Sequence, residues 1–292
     1  VNVNRETVEL RGGAGVIAAD RWTPATGTAD RGAVVMLHGG GQTRHSWDRA
    51  AAGIAADGWT VHTLDARGHG ESDWAPDGDY RIGGLVADLR GVVDQLGERP
   101  VVFGASLGGM TGLITEGEHP GTVRALVLVD ITPKVEPEGV KRITAFMTSR
   151  PDGFADLDEV ADAVAAYQPH RTRPPNVEGL RRNLREREDG RLHWHWDPAF
   201  TAQRADGETP VGSHARMVSA ARAVTVPTLL VHGGRSDIVS DEGVAELLEL
   251  IPHATAVNVA EAGHMVAGDD NAVFVAEAGG FLDGLDSGRR VG

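Results

Sequence analysis

The sequence predicts an α/β fold, a mostly parallel central sheet of about eight strands flanked by helices. Three observations predict it. Short apolar runs recur along the chain, each closed by a glycine-rich or charged turn. Segments with helical spacing lie between them. The alternation breaks off after Asp130 and resumes only at Pro227, so one long segment interrupts an otherwise regular layered domain.

In chain order, two strands near 5–10 and 15–22 form a hairpin at the leading edge of the sheet. The runs GAVVMLH (32–38), TVHTLD (60–65), PVVFGA (100–105), ALVLVD (125–130), PTLLVHG (227–233) and TAVNV (255–259) read as buried strands. Helical spacing occupies 47–57, 82–96, 107–118, 243–250 and 272–285. Strands alternating with helices at this interval give a parallel sheet covered on both faces. The interrupting segment holds helical patches at 140–148, 157–167, 177–187 and 212–224, and one alternating piece, RLHWHW (191–196). Residues 1–133 and 223–292 therefore read as the core, and 134–222 as an inserted, mainly helical cap or lid. The mixed signs of RRNLREREDGR (181–191) suit a solvated face of that lid.

Composition narrows the function. The chain has 292 residues, 41% of them hydrophobic, enough for one large core. A formal charge of -14 argues against a nucleic-acid surface, which needs clustered Lys and Arg. It suits a protein that handles neutral or weakly polar small molecules. The absence of cysteine excludes disulfides, thiolate catalysis and cysteine-ligated metals. No secretory signal and no membrane-length apolar run is visible, so the expected location is the cytoplasm. The two lysines, Lys134 and Lys141, against abundant arginine fit GC-rich bacterial coding.

The chemistry starts at Gly104-Ala105-Ser106-Leu107-Gly108, which places one hydroxyl between glycines at a strand-to-helix junction. This is the Gly-x-Ser-x-Gly nucleophile-elbow pattern in its required context. The turn is sharp and strained, and side chains at 104 or 108 would strike the neighbouring strand and helix. A serine needs a positioned base. Of twelve histidines, His264 follows the last strand in a short loop, from which it can reach Ser106 across the carboxyl edge of the sheet. His69 lies in a turn cluster that fixes the loop after its strand, His38 opens a glycine run, and His193 and His195 lie in the insertion. For the acid, Asp237 stands just beyond a strand end, giving the chain order serine, aspartate, histidine. Asp130 also ends a strand and is the competitor, read here as a carboxylate held in loop hydrogen bonds. The oxyanion donors are the N–H of Leu107 and, from His38-Gly39-Gly40-Gly41-Gln42, the N–H of Gly40, with Gly39 or Gly41 as alternatives. Trp194 and Trp196 share one face of a strand and line a pocket or anchor the cap. Trp47, Phe146, Met147 and Met265 are further pocket-wall candidates.

Taken together, Ser106, Asp237, His264, the HGGG run and the DARGHGES turn resemble the α/β-hydrolase superfamily over nearly the whole chain, with 134–222 in the place of its variable cap. The resemblance implies a serine hydrolase that cleaves carboxylic esters of small or medium-sized substrates through an acyl-enzyme on Ser106. No cofactor or metal is implied, and the expected partner is a small-molecule ester or related acyl substrate, not nucleic acid or membrane. Haloalkane dehalogenases and epoxide hydrolases carry aspartate where this chain has Ser106. Relatives that cleave carbon–carbon bonds often show Ser-Met-Gly-Gly and an aromatic after the histidine, where this chain has Leu107 and Met265. Cofactor-free haloperoxidases usually have proline soon after the His-Gly pair, where Gly41 and Gln42 stand. Carbon–carbon bond or lactone hydrolysis, perhydrolase chemistry and non-catalytic ligand binding are the alternative functions.

Overall fold

A computed structural model describes residues 3–27, 30–168, 176–205, 214–269 and 271–286. Strands β1 (Val3–Arg11) and β2 (Val16–Pro24) pair as an antiparallel hairpin at one edge of the main sheet. They are followed by β3 (Ala33–Leu37), β4 (Thr60–Leu64), β5 (Val101–Ala105) and β6 (Ala125–Val129). Two short strands, β7 (Leu184–Glu186) and β8 (Leu192–Trp194), form a separate antiparallel pair. Strands β9 (Thr228–Gly233) and β10 (Thr255–Val259) complete a main sheet of eight strands in the order 1-2-4-3-5-6-9-10. From β4 to β10 every neighbouring pair is parallel.

The interior strands have apolar residues on both faces because helices cover both. On one side, Val34, Met36, Val101, Phe103, Val127 and Val129 pack against α1 (Asp48–Ala56) and α10 (Asn271–Asp286) through Ile54 and Phe274. On the other, Val35, Val102, Leu126 and Leu128 pack against α2 (Ile82–Leu96) and α3 (Leu107–Glu118). Burying both faces explains why these runs are continuously Val/Leu-rich. β10 differs from the reading as a buried strand. It is the sheet's edge, and Ala256 and Asn258 are exposed.

Between β6 and β9 the chain forms α4 (Pro137–Thr148), α5 (Leu157–Tyr167), β7, β8, α6 (Pro198–Ala205) and α7 (His214–Ala223). The spacing at 177–187 predicts a helix, but the structure has a short 3₁₀ turn over Glu178–Asn183 followed by β7. Asp189-Gly190 closes the β7–β8 hairpin, with Gly190 at φ 72°, and Phe154 exchanges backbone hydrogen bonds with Leu192 of β8. Pairing with distant residues overrides the local helical spacing there. The helix α7, read from sequence as part of the cap, packs along α3 beside the sheet. Its approach is so close that a Cβ at Gly117 would strike the backbone of Ala220. After β9 come α8 (Asp241–Leu250) and, past β10, the single turn α9 (Val266–Asp269).

The topology creates the site. The chain leaves β3 toward β4 on one side, and β5 lies on the other, so the loops after β3 and β5 part at a crevice. Such switch points at the carboxyl ends of parallel strands form ligand sites. The pairing of Leu37 with Gly104 sets the glycine loop after β3 beside the serine turn after β5.

Candidate active site

Ser106 stands between β5 and α3 at φ 47°, ψ −111°, a left-handed geometry costly for a residue with a side chain. The flanking glycines allow it. A Cβ at Gly104 would strike the backbone of Gly108 and Gly109, and one at Gly108 would strike the Leu37 carbonyl of β3. The Ser106 N–H donates to the Val129 carbonyl at 3.1 Å, and its own carbonyl accepts from the Met110 N–H at 2.9 Å. Its backbone is thus anchored on both sides. Leu107 is the first residue of α3. Its N–H has no intrahelical acceptor and lies at the positive end of the helix.

The glycine loop lies beside the serine, and a Cβ at Gly39 would sit 3.4 Å from the Ser106 Cβ. Two of its three glycine N–H groups are engaged. Gly39 donates to Gln42 Oε1 at 2.8 Å and Gly41 to His69 Nε2 at 3.1 Å. Among the described residues the Gly40 N–H has no acceptor, which makes it the loop's available donor. Gln42 also donates to Met265 Sδ at 2.7 Å and so ties this loop to the one carrying His264. Local pattern gives Gln42 no such part, since its partner Met265 lies across the fold.

His264 follows β10, and its Nδ1 lies 2.6 Å from Oδ2 of Asp130. The carboxylate can only accept, so Nδ1 carries the proton and Nε2 presents a lone pair. Asp130 ends β6, fully buried, at φ 50°. Its Oδ1 accepts from the Gly233 N–H at 2.9 Å, and its Oδ2 accepts from Ser236 Oγ at 2.5 Å. The expectation that Asp237 orients His264 is therefore corrected. Asp237 is partly exposed and forms an ion pair with Arg142 of α4. A Cβ at Gly139 would strike the Asp237 carbonyl, so α4 lies directly on this loop. The spacing placed an aspartate at the right distance after β9. The neighbouring Ser236 is the side chain of that turn that reaches the Asp130 carboxylate.

Ser106 and His264 open into one cavity of about 380 Å³ between the sheet edge and the inserted segment. All six sequence-named wall residues, Trp47, Phe146, Met147, Trp194, Trp196 and Met265, line it. Trp194 stacks on Trp196 with centroids 5.1 Å apart, and Phe146 stacks on Tyr167 at 4.2 Å. Among the described residues, no Asp, Glu, Lys or Arg lines the cavity. Among the described residues, a cluster of metal-ligating types occurs elsewhere, at Asp20, His45 and Asp48. There Arg5 already pairs with both carboxylates.

Comparison with known proteins agrees with this architecture. The family model of the alpha/beta hydrolase fold matches residues 32–270. Esterase Rv0045c of Mycobacterium tuberculosis is 32% identical over 277 residues, covering 92% of this chain and 87% of that protein. Its crystal structure superposes with a TM-score of 0.73 at 31% identity, over 96% of this chain and 92% of that one. The 2-(acetamidomethylene)succinate hydrolase of Mesorhizobium japonicum is 30% identical over 217 residues, 72% of this chain and 74% of that protein. No helix among the described residues is long and apolar enough to cross a membrane. By the extent of the family match and the identity of its relatives, the chain belongs to the α/β-hydrolase fold family.

Proposed function

We propose that this protein is a serine hydrolase of carboxylic esters with uncharged, largely apolar acyl groups. Ser106 Oγ attacks the acyl carbon while His264 Nε2 takes its proton, and Asp130 stabilises the imidazolium that forms. The N–H groups of Leu107 and Gly40 receive the oxyanion. His264 then protonates the leaving alcohol and activates the water that releases the acid. Within the inserted segment, α4, α5 and the β7–β8 hairpin act as the cap over the acyl cavity, and α7 leads the chain back to the core. The observation that carries this reading is the 2.6 Å bond from His264 to Asp130, in a cavity shared with a strained serine.

The lining supports the substrate class. A succinate, as in the name of one relative, would bring a carboxylate into a cavity whose described lining has no lysine or arginine to receive it. An unpaired buried carboxylate is disfavoured by several kcal/mol. The test uses p-nitrophenyl hexanoate and the equally long p-nitrophenyl monoester of adipate, with the parent chain and Ser106→Ala. Hexanoate turnover should fall at least about 10⁴-fold in Ser106→Ala. The adipate ester should show kcat/KM at least about 100-fold below hexanoate. Residual hexanoate turnover in Ser106→Ala near the parent rate would refute the nucleophile, and comparable use of both esters would refute the acyl class.

A further inference from the structure

Two imidazoles hold the glycine loop, and one of them comes from the inserted segment. The Gly41 N–H donates to His69 Nε2, while His69 Nδ1 donates to the Arg67 carbonyl at 3.1 Å. His195, just past β8, is 1% exposed, with its ring centroid 5.7 Å from that of His69. Its Nδ1 accepts from the Gly70 N–H at 2.7 Å. That bond leaves the ring proton on Nε2, which lies 3.4 Å from the Gly41 carbonyl. Burial pushes the His195 pKa down to about 3, so the neutral ring with this tautomer persists across the working pH range.

Gly41 sits at φ 77°, with Met147 and Trp196 closing the space where a side chain would go. Its two flanking peptides are thus each fixed by one histidine, His69 on the amide side and His195 on the carbonyl side. The hairpin carrying His195 is seated on the turn after β4. Arg185 donates to the Gly70 carbonyl, and the Asp197 N–H donates to the Gly68 carbonyl at 2.9 Å. The Tyr80 hydroxyl donates to the Asp197 carboxylate at 2.5 Å.

We propose that His195 is a positioning residue through which the inserted segment holds the Gly41 peptide and so aims the Gly40 N–H at the developing oxyanion. This rests on the reading of Gly40 as an oxyanion donor. At 3.4 Å the Nε2–Gly41 bond is long, and catalytic hydrogen bonds of this kind tighten in the transition-state complex. The inserted segment is then part of the transition-state site as well as the roof of the acyl cavity.

Two substitutions separate positioning from docking. Asn places its amide near Nδ1, so His195→Asn can still accept from Gly70 but no longer reaches Gly41. Gln places its amide near Nε2, so His195→Gln keeps a donor for Gly41 and gives up the Gly70 contact. For hexanoate turnover, His195→Gln should keep kcat within about threefold of the parent. His195→Asn should lose about 10- to 100-fold in kcat with KM within about threefold. A trifluoromethyl ketone that forms a tetrahedral adduct on Ser106 should weaken in His195→Asn by the factor lost in kcat/KM. Should the Asn variant fail to fold by circular dichroism, His195→Phe takes its place with the same readouts. Equal kcat in the two variants, or a rise in KM at unchanged kcat, overturns the positioning role. Ester turnover that does not depend on Ser106 in the parent chain would instead overturn the hydrolase reading on which it rests.

Discussion

At the scale of a residue, a carboxylate that receives three hydrogen bonds tolerates no amide in its place. In Asp130→Asn, an amide nitrogen at Oδ1 meets the Gly233 N–H, and one at Oδ2 meets both Ser236 Oγ and the protonated His264 Nδ1. Either rotamer opposes donor to donor, and the charge that favours the imidazolium is gone. The same change in a known triad lowers kcat by about 10⁴, close to 5 kcal/mol of transition-state stabilisation. Asp237→Asn removes only a partly exposed ion pair with Arg142. Such pairs contribute about 0–1 kcal/mol, so kcat should stay within about threefold of the parent. Steady-state kinetics on both folded variants test the assignment, and the reverse ranking would overturn it. That Ser106 and His264 meet at one cavity was legible from their motif and loop, because local pattern encodes an elbow and a strand-end histidine. Which aspartate meets His264 was not, since Asp130 and Asp237 both end strands and differ only in what lies across the sheet. The backbone marks the difference. Ser106 and Asp130 are the two non-glycine residues at positive φ among those described, a strain that the sequence does not display.

At the scale of an element, the strand–turn–helix unit from β5 to α3 carries Ser106, and its tolerance to change is set by how closely β3 passes it. Ser106→Ala trims one oxygen from a side chain beside the cavity and leaves the anchoring backbone bonds intact, so its melting temperature should lie within a few degrees of the parent. Gly108→Val drives a branched side chain into the Leu37 carbonyl, backbone that cannot yield without moving β3. Overpacking of this kind costs about 1–3 kcal/mol or more. Thermal unfolding should therefore rank parent and Ser106→Ala together and Gly108→Val several degrees below. Equal midpoints for the two variants would contradict the account of the glycines. Among the helices, α2 was legible to the residue because one apolar face and the stop at Gly97, at φ 71°, agree with the final packing. The segment 177–187 misled because its helical spacing is local while β7 is defined by β8 and Phe154, which local periodicity does not contain.

At the scale of the molecule, the layered core was legible because every interior strand is buried on both faces. The way the inserted segment is seated was not, because it depends on single polar contacts between distant loops. Those contacts have a further consequence. Histidine rings are buried in and around the central sheet in an uncharged state, His62 on β4 and His195 above it among them. Burial pushes the His62 pKa down to about 4 and that of His195 to about 3, and it also lowers that of His38. The unfolded chain titrates these rings near 6.5. Below that pH the unfolded state binds protons that the folded state refuses, so stability is complete above about 6.5 and drains away as pH falls toward the folded values. In this window each such ring contributes a slope of up to about 1.4 kcal/mol per pH unit. His62 isolates the effect, since it lies in the sheet away from the cavity and its Nδ1 has no hydrogen-bond partner among the described residues. Leucine there preserves the volume and removes the titration. Between pH 7 and pH 5.5 the parent chain should lose about 1.3 kcal/mol more stability than His62→Leu, read from urea unfolding at both pH values. Parallel losses in the two proteins would mean that His62 takes up its proton in the folded state, and the burial argument would fall with it.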